Sequence, residues 1–272
     1  MVEGFEDVLV RRRGGRMTIT INRPRRLNAI RTRTLREMCE ALAAATDDPA
    51  IGVVVLAGAG DRAFCVGGDV REPTRTEREK REQVRLYLEL GERLRRCGMP
   101  VIARVQGYCI GAGNEINVLC DLTISGASGV FGQAGTRLGW APVWWSAQML
   151  ARTVGEKRAR EIVFLSRRYP AHEALRMGLA NVVVPDLALD QEVDRWCAEI
   201  LRGSPQGLRL ARLGLNAGSD DFRSSILTSI ESGILNHVHG PDPREGIRAF
   251  QEGRPPDWRP LRAGRGPAPE PD

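Results

Sequence analysis

Residues 51–58, IGVVVLAG, form an unbroken apolar run that is far too short to cross a membrane and carries none of the polar alternation of a half-exposed strand. Such a strand must be covered on both faces, which predicts a parallel sheet flanked by helices. PVIARVQG, LTISG, VFGQ and NVVVP supply further strands, and helical patterns cover about 32–46 and 75–96. The opening differs: FEDVLVRRR and RMTITIN alternate apolar and polar residues around Gly14-Gly15, the pattern of a hairpin. From Ser146 onward the chain is mostly helical, through HEALRMGL, 190–201, PQGLRLARLGLNA and a long helix over about 221–237. Strands first and helices last predict an α/β core with a helical extension, not two doubly wound domains. The expected division is a core over 1–200, a helical region over 201–258 and a disordered tail over 259–272, where RPLRAGRGPAPEPD is rich in proline and glycine.

A chain of 272 residues with 42% hydrophobic content can bury a substantial core, which excludes a disordered protein or a disulfide scaffold. Six cysteines without CxxC or metal-type spacing read as buried thiols of a reducing compartment. The first residues show no apolar stretch with a small-residue cleavage site, so a soluble cytoplasmic protein is expected, with no membrane partner. The net charge of +6 comes almost entirely from arginine, Lys80 and Lys157 being the only lysines. Guanidinium forks suit phosphate, yet the arginines are scattered and no basic motif is interleaved with aromatics, so nucleic acid is not the expected partner. His237 and His239 near Asp242 read as a surface pair at a helix end; no further ligand has metal-type spacing, and no metal is expected.

Two segments place small residues just after a buried strand: Ala63-Phe64-Cys65-Val66-Gly67-Gly68-Asp69 and Gly107-Tyr108-Cys109-Ile110-Gly111-Ala112-Gly113-Asn114-Glu115. The second runs straight into a helical pattern, so its amides and the positive end of the helix dipole would face a ligand. One N–H from each loop would make an oxyanion hole, which stabilises charge developing on a carbonyl oxygen. Taken alone, each cluster is equally well a tight turn.

The order and spacing of NRPRRLNAI, AFCVGGDV, PVIARVQGYCIGAGNEI, CDLTIS, FGQAGTRLG and HEALRMGLANVVVP resemble the crotonase (enoyl-CoA hydratase/isomerase) superfamily over about residues 5–258. The resemblance implies a spiral of ββα units with a C-terminal helical region used in trimer assembly, as a homotrimer or a dimer of trimers, and an acyl-CoA substrate. It implies no separate cofactor, coenzyme A being part of the substrate. The two enolate-stabilising amides fall at Gly68 and Ala112, and Glu115 matches the first catalytic glutamate, which handles water and exchanges a proton with substrate carbon. Arg25 and Arg26 fall in the loop that meets the nucleotide end of coenzyme A. Further substrate contacts implied are Ala29, Cys65, Val66 and Asp69 on the first side, Tyr108 and Gly111 on the second. Gly135, Leu138, Pro142, Trp144 and Trp145 follow in the loop after FGQ. Asp69 and Asp121 are equally placed to orient loops or cap helices.

Departures from the pattern bear on the reaction. Hydratases carry a second glutamate where this chain has Gly135. In texture, FCVGGD, CDLTI, ARTVGEKRAREIVFL and RRY are nearer to the 1,4-dihydroxy-2-naphthoyl-CoA synthases and 2-ketocyclohexanecarboxyl-CoA hydrolases, which close or open carbon rings. Their catalytic aspartate falls on Pro142 and their tyrosine on Val238, and they lack a glutamate at the Glu115 position. The expected activity is therefore of hydratase/isomerase type with Glu115 as acid/base. Ring chemistry, decarboxylation, RNA binding and a non-catalytic homologue are the alternatives. Gly139-Trp140-Ala141-Pro142-Val143-Trp144-Trp145 reads equally as an acyl-pocket lining or as core or interface packing.

Overall fold

The apolar run becomes the strand β3 (Val53–Gly58), buried at every position. The computed structural model describes residues 4–72, 76–142, 144–219 and 240–262. Around β3 lies a six-stranded sheet in the spatial order β1 (Val8–Arg13), β2 (Arg16–Ile21), β3, β5 (Val101–Val105), β7 (Leu122–Gly126) and β10 (Val182–Val184). Only the hairpin pair β1–β2 is antiparallel. A second sheet holds β4 (Ala63–Cys65), β6 (Tyr108–Ile110), β8 (Val130–Gly132) and β9 (Arg168–Pro170), with β4, β6 and β8 parallel and β9 antiparallel.

After the hairpin and α1, three successive turns of the chain each give one strand to each sheet and then a helix. β3 and β4 precede α2 (Glu77–Arg96), and β5 and β6 precede α3 (Ala112–Leu119). β7 and β8 precede a 3-10 turn and α4 (Ser146–Val154). The fold is thus the expected α/β spiral of ββα units with helices at the C-terminal end. The strands β4, β6 and β9 were not foreseen: three residues each, they are too short to show a period, and β6 lies in what reads as a glycine-rich loop.

Helix α1 (Thr32–Asp47) covers one face of the large sheet and packs on α2, burying Leu35, Met38 and Leu42 beside Leu86, Leu90 and Leu94. The opposite face is covered by α7 (Leu189–Leu201), whose Leu189, Val193 and Cys197 meet Val53, Val55 and Ile102. All six cysteines are free thiols; five are buried, as expected, and Cys120 is half-buried. Helices α5 (Glu156–Leu165), α6 (Ala171–Met177) and α8 (Pro205–Ala217) follow the order read from the sequence. Then come α9 (Pro241–Glu252) and a short α10 (Arg259–Arg262). The tail expected to be disordered from 259 therefore begins with a helical turn; 263–272 lie outside the described residues, as do the expected helix over 221–237, Val143, His237, Val238 and His239.

The C-terminal end of α2 is tied down by Arg212 of α8. Its guanidinium donates to the carbonyls of Leu94, Arg95 and Cys97 and to both oxygens of Asp121, whose Oδ2 also accepts from the Val101 N–H at 2.7 Å. Asp121 is therefore an orienting residue, joining β5, α2 and α8. Removing the guanidinium by Arg212→Ala leaves the Leu94, Arg95 and Cys97 carbonyls without this donor, and is expected to cost about 3 kcal/mol in a urea titration.

Candidate active site

The two glycine loops end side by side because β4 and β6 pair in parallel, with Cys65 opposite Cys109. Gly68 and Ala112 each lie three residues beyond that pair. Gly111 has φ 57° and ψ −127°, a conformation open to glycine but not to a side chain, and it turns the chain from β6 into α3. A Cβ placed on Gly111 would lie 3.6 Å from the Gly67 Cα, so the loops are in van der Waals contact.

Hydrogen bonding aims the two amides. Ile30 bridges the first loop, donating to the Gly67 carbonyl at 2.8 Å and accepting from the Asp69 N–H at 2.7 Å. The intervening Gly68 N–H must then point away from Ile30. Ala112 is the first residue of α3, where an N–H has no partner within the helix. Among the described residues neither N–H is bonded to an acceptor.

Glu115 lies one turn into α3, its N–H closing the first helical bond to the Gly111 carbonyl. Side chains on a helix lean toward its N-terminus, so this carboxyl leans back toward Ala112. It is only 8% exposed and has no hydrogen-bond or ion-pair partner among the described residues. Burial pushes its pKa up from 4.5 to about 8. A carboxyl covered in this way, beside two unused donors, is equipped to move a proton near neutral pH. The helix beneath it is fixed by Asn117, which accepts from the Thr123 hydroxyl at 2.7 Å and donates to the Leu179 carbonyl at 3.3 Å.

The arginine loop is held by a residue that sequence reasoning passed over. Asn28 is fully buried; its Oδ1 accepts from the Arg23 N–H, and its Nδ2 donates to the Ala59 and Ala63 carbonyls. Leu27 and Asn28 both take positive φ there, and the chain turns sharply enough to leave Arg25 and Arg26 exposed at the surface. Neither has an ion-pair partner among the described residues. Arg23, by contrast, is committed: it donates to the buried Ala29 carbonyl and to the Asp69 carboxylate.

Asp69, expected among the substrate contacts or as a loop-orienting residue, pairs its carboxylate with Arg23 and so ties the arginine loop to the first glycine loop. Cys65 is wholly buried, and burial pushes its thiol up to about 12. Val66 remains half-buried at the loop, but the Tyr108 ring lies under the Arg168 guanidinium, 5.4 Å away.

The loop after β8 divides the expected substrate contacts. The Gly135 carbonyl accepts from the Trp140 N–H at 2.8 Å, and a Cβ on Gly135 would lie 3.1 Å from the Trp140 carbonyl oxygen. The loop thus closes over the position where a second carboxylate would start. Leu138 is pressed under α9, where a Cβ on Gly246 would come within 2.3 Å of its carbonyl carbon. Pro142 is buried. Trp145 packs over Gly91 of α2 with the Arg95 guanidinium 4.4 Å from its ring, and Trp144 stands behind Tyr87. For Trp145 the core-packing alternative accounts for the placement. The indole that reaches the site is Trp140, whose Cζ3 lies 3.9 Å from a Cβ placed on Gly68. Tyr87 reaches the same point from α2; its spacing to Leu90 and Leu94 was the available signal, masked by the charged residues around it.

A cavity of about 330 Å³ lies along Thr136, Gly139, Asp242, Trp258 and Leu261, between this loop and the C-terminal helices, and does not include Glu115. Among the described residues no group of three or more His, Cys, Asp and Glu side chains could hold a metal ion, and no helix is long and apolar enough to cross a membrane.

Residues 11–260 match the family model described as enoyl-CoA hydratase/isomerase. The chain belongs to the enoyl-CoA hydratase/isomerase family. Solved structures similar to this chain cover most of its length. An enoyl-CoA hydratase from Mycobacterium avium subsp. paratuberculosis K-10 is 30% identical, with a TM-score of 0.86 over 93% of this chain and 99% of that one. An enoyl-CoA hydratase from Bacillus anthracis is also 30% identical, with a TM-score of 0.76 over 93% and 98%. A carnitinyl-CoA hydratase from Mycobacterium avium is 28% identical, with a TM-score of 0.83 over 93% and 98%. Within this hydratase/isomerase frame, the two loops and α3 are the elements that bring Gly68, Ala112 and Glu115 together.

Proposed function

We propose that the protein acts on acyl-CoA thioesters, holding the thioester oxygen with the N–H groups of Gly68 and Ala112 while Glu115 takes up or returns a proton. The observation that carries this reading is the buried, unpartnered carboxyl of Glu115 one turn from an unpartnered helix N-terminal amide. Polarising the thioester acidifies the neighbouring carbon, and the charge that develops moves onto the oxygen facing the two amides. Ala112 supports the role as well as glycine would, since only its N–H is used.

The test is mass spectrometry of linear, cyclic and malonyl-type acyl-CoAs incubated in heavy water with wild-type protein and with Glu115→Gln. Deuterium at the carbon next to the thioester, or a gain of water, absent in the variant, supports the reading. No mass change in any thioester overturns it. A second reading is favoured by Gly135: with the loop closed at Trp140, chemistry that needs one carboxylate or none, such as decarboxylation or carbon-carbon bond cleavage, fits the site. Loss of carbon dioxide from malonyl-type thioesters would select it over hydration.

Arg25 and Arg26 support the coenzyme A assignment, as exposed cations free to fork onto phosphate. The double variant Arg25→Glu, Arg26→Glu is expected to raise KM for CoA thioesters by roughly 10-fold or more at low salt, with kcat little changed, and to leave KM for pantetheine thioesters unaffected. Exposed Leu210, Leu213 and Leu215 on α8 support assembly as a homotrimer or a dimer of trimers.

A further inference from the structure

Beyond Glu115 the site holds a polar group that the reading above leaves unused. Tyr87 sits on α2 between the buried Leu86 and Leu90, on a helix anchored at its far end by Arg212. Its ring meets Trp144 edge-on, with centroids 5.2 Å apart and planes at 63°, which fixes where the hydroxyl points. That hydroxyl lies 3.4 Å from the point a Cβ would occupy on Gly68. Among the described residues it has no hydrogen-bond partner, although it is half-buried, and a tyrosine hydroxyl in such a place ordinarily has one. Trp140 closes the same side of Gly68 with an apolar edge, so water is partly excluded there.

We propose that the Tyr87 hydroxyl is a third donor of the oxyanion site, donating a hydrogen bond to the thioester oxygen beside the Gly68 and Ala112 N–H groups. The proposal rests on the acyl-CoA reading. Burial holds the phenol above its ordinary pKa, so it stays protonated at neutral pH and serves as a donor, not a base. The proton moved in the reaction remains the business of Glu115; Tyr87 transfers none. As negative charge grows on the thioester oxygen the hydrogen bond strengthens, and a donor fixed beforehand in a partly dry site stabilises the enolate more than the ground state. In a chain without a carboxylate at Gly135, this gives the reacting centre a second side chain.

Tyr87→Phe removes the hydroxyl and keeps the ring against Trp144. Two readouts are followed in wild type and variant: deuterium uptake at the α-carbon of phenylacetyl-CoA and butyryl-CoA in heavy water, and the absorbance of bound cinnamoyl-CoA, which shifts to the red as its carbonyl is polarised. The expected result is exchange slowed on the order of 100-fold at saturating thioester, KM within about threefold, a reduced red shift and an unchanged thermal midpoint. An active wild type with an equally fast Phe variant and an undiminished red shift would overturn the proposal. A wild type that neither exchanges deuterium nor shifts the absorbance of cinnamoyl-CoA would overturn the acyl-CoA reading and the role of Tyr87 with it.

Discussion

Glu115→Gln is expected to lower turnover of acyl-CoA thioesters by about 10³-fold with little change in their binding. The substitution keeps the shape and volume of the side chain, so the loops at Gly68 and Ala112 stay in place and thioester continues to bind. What is lost is a group that changes its proton count. Because burial raises the Glu115 pKa to about 8, the carboxyl is mostly protonated at pH 7 and becomes a base only as pH rises. For reactions that begin by removing a proton from substrate carbon or from water, kcat/KM should therefore climb tenfold per pH unit below about 8 and level off above it. If Glu115 enters the cycle as an acid, the same limb runs in the opposite direction, falling above about 8. In either case the limb belongs to Glu115 and should vanish from the residual activity of the glutamine variant. A pH–rate profile that keeps its limb near 8 in the variant would place the ionising group elsewhere.

Much of this site was legible in the sequence because its key atoms belong to the backbone. A strand, a run of small residues and a helix start specify where an N–H will point, and the two loops at 63–69 and 107–115 carry that information locally. Glu115 was singled out by the family resemblance, and helix geometry sets its place relative to Ala112. The alternation of strands between two sheets was only partly readable, since β4 and β9 are three residues long and stabilised by pairing with β6 and β8, which are distant in sequence. Side chains arriving from elsewhere were the hardest to foresee. Tyr87 comes from α2 and Trp140 from the loop after β8, and nothing near either in sequence announces Gly68. Asp69 shows the converse: its place in the loop motif suggested a ligand contact, whereas Arg23, 46 residues earlier in the chain, takes its carboxylate. Asn28 went unremarked because a buried asparagine in a turn is recognised by its hydrogen bonds to Ala59 and Ala63, which exist only once the strands have assembled.

The carboxyl proposed to move the proton should also make the folded protein less stable as pH rises. In the unfolded chain Glu115 has the ordinary value of 4.5, and in the folded protein about 8. Between these values the folded state holds a proton that the unfolded state has released, so unfolding releases a proton and is favoured by raising the pH. The stability associated with this group is fully present below about 4.5, declines by about 1.4 kcal/mol per pH unit, and is lost above about 8, a total of roughly 5 kcal/mol. Glutamine does not titrate. The difference in unfolding free energy between Glu115→Gln and wild type should therefore swing toward the variant by that amount from pH 4.5 to 8.5, measured by urea titration at several pH values. Burying the glutamine amide without partners adds a cost that does not depend on pH, which shifts the curve without changing its slope. Other shifted carboxyls, among them Asp7, Glu37 and Glu245, are common to both proteins and cancel in the difference. A flat difference across this range would mean that Glu115 ionises in the folded protein as it does in water, and an ordinary surface carboxylate could not give the activity limb near pH 8. The two measurements are thus linked through one proton: the rise in rate and the fall in stability should be complete at the same pH.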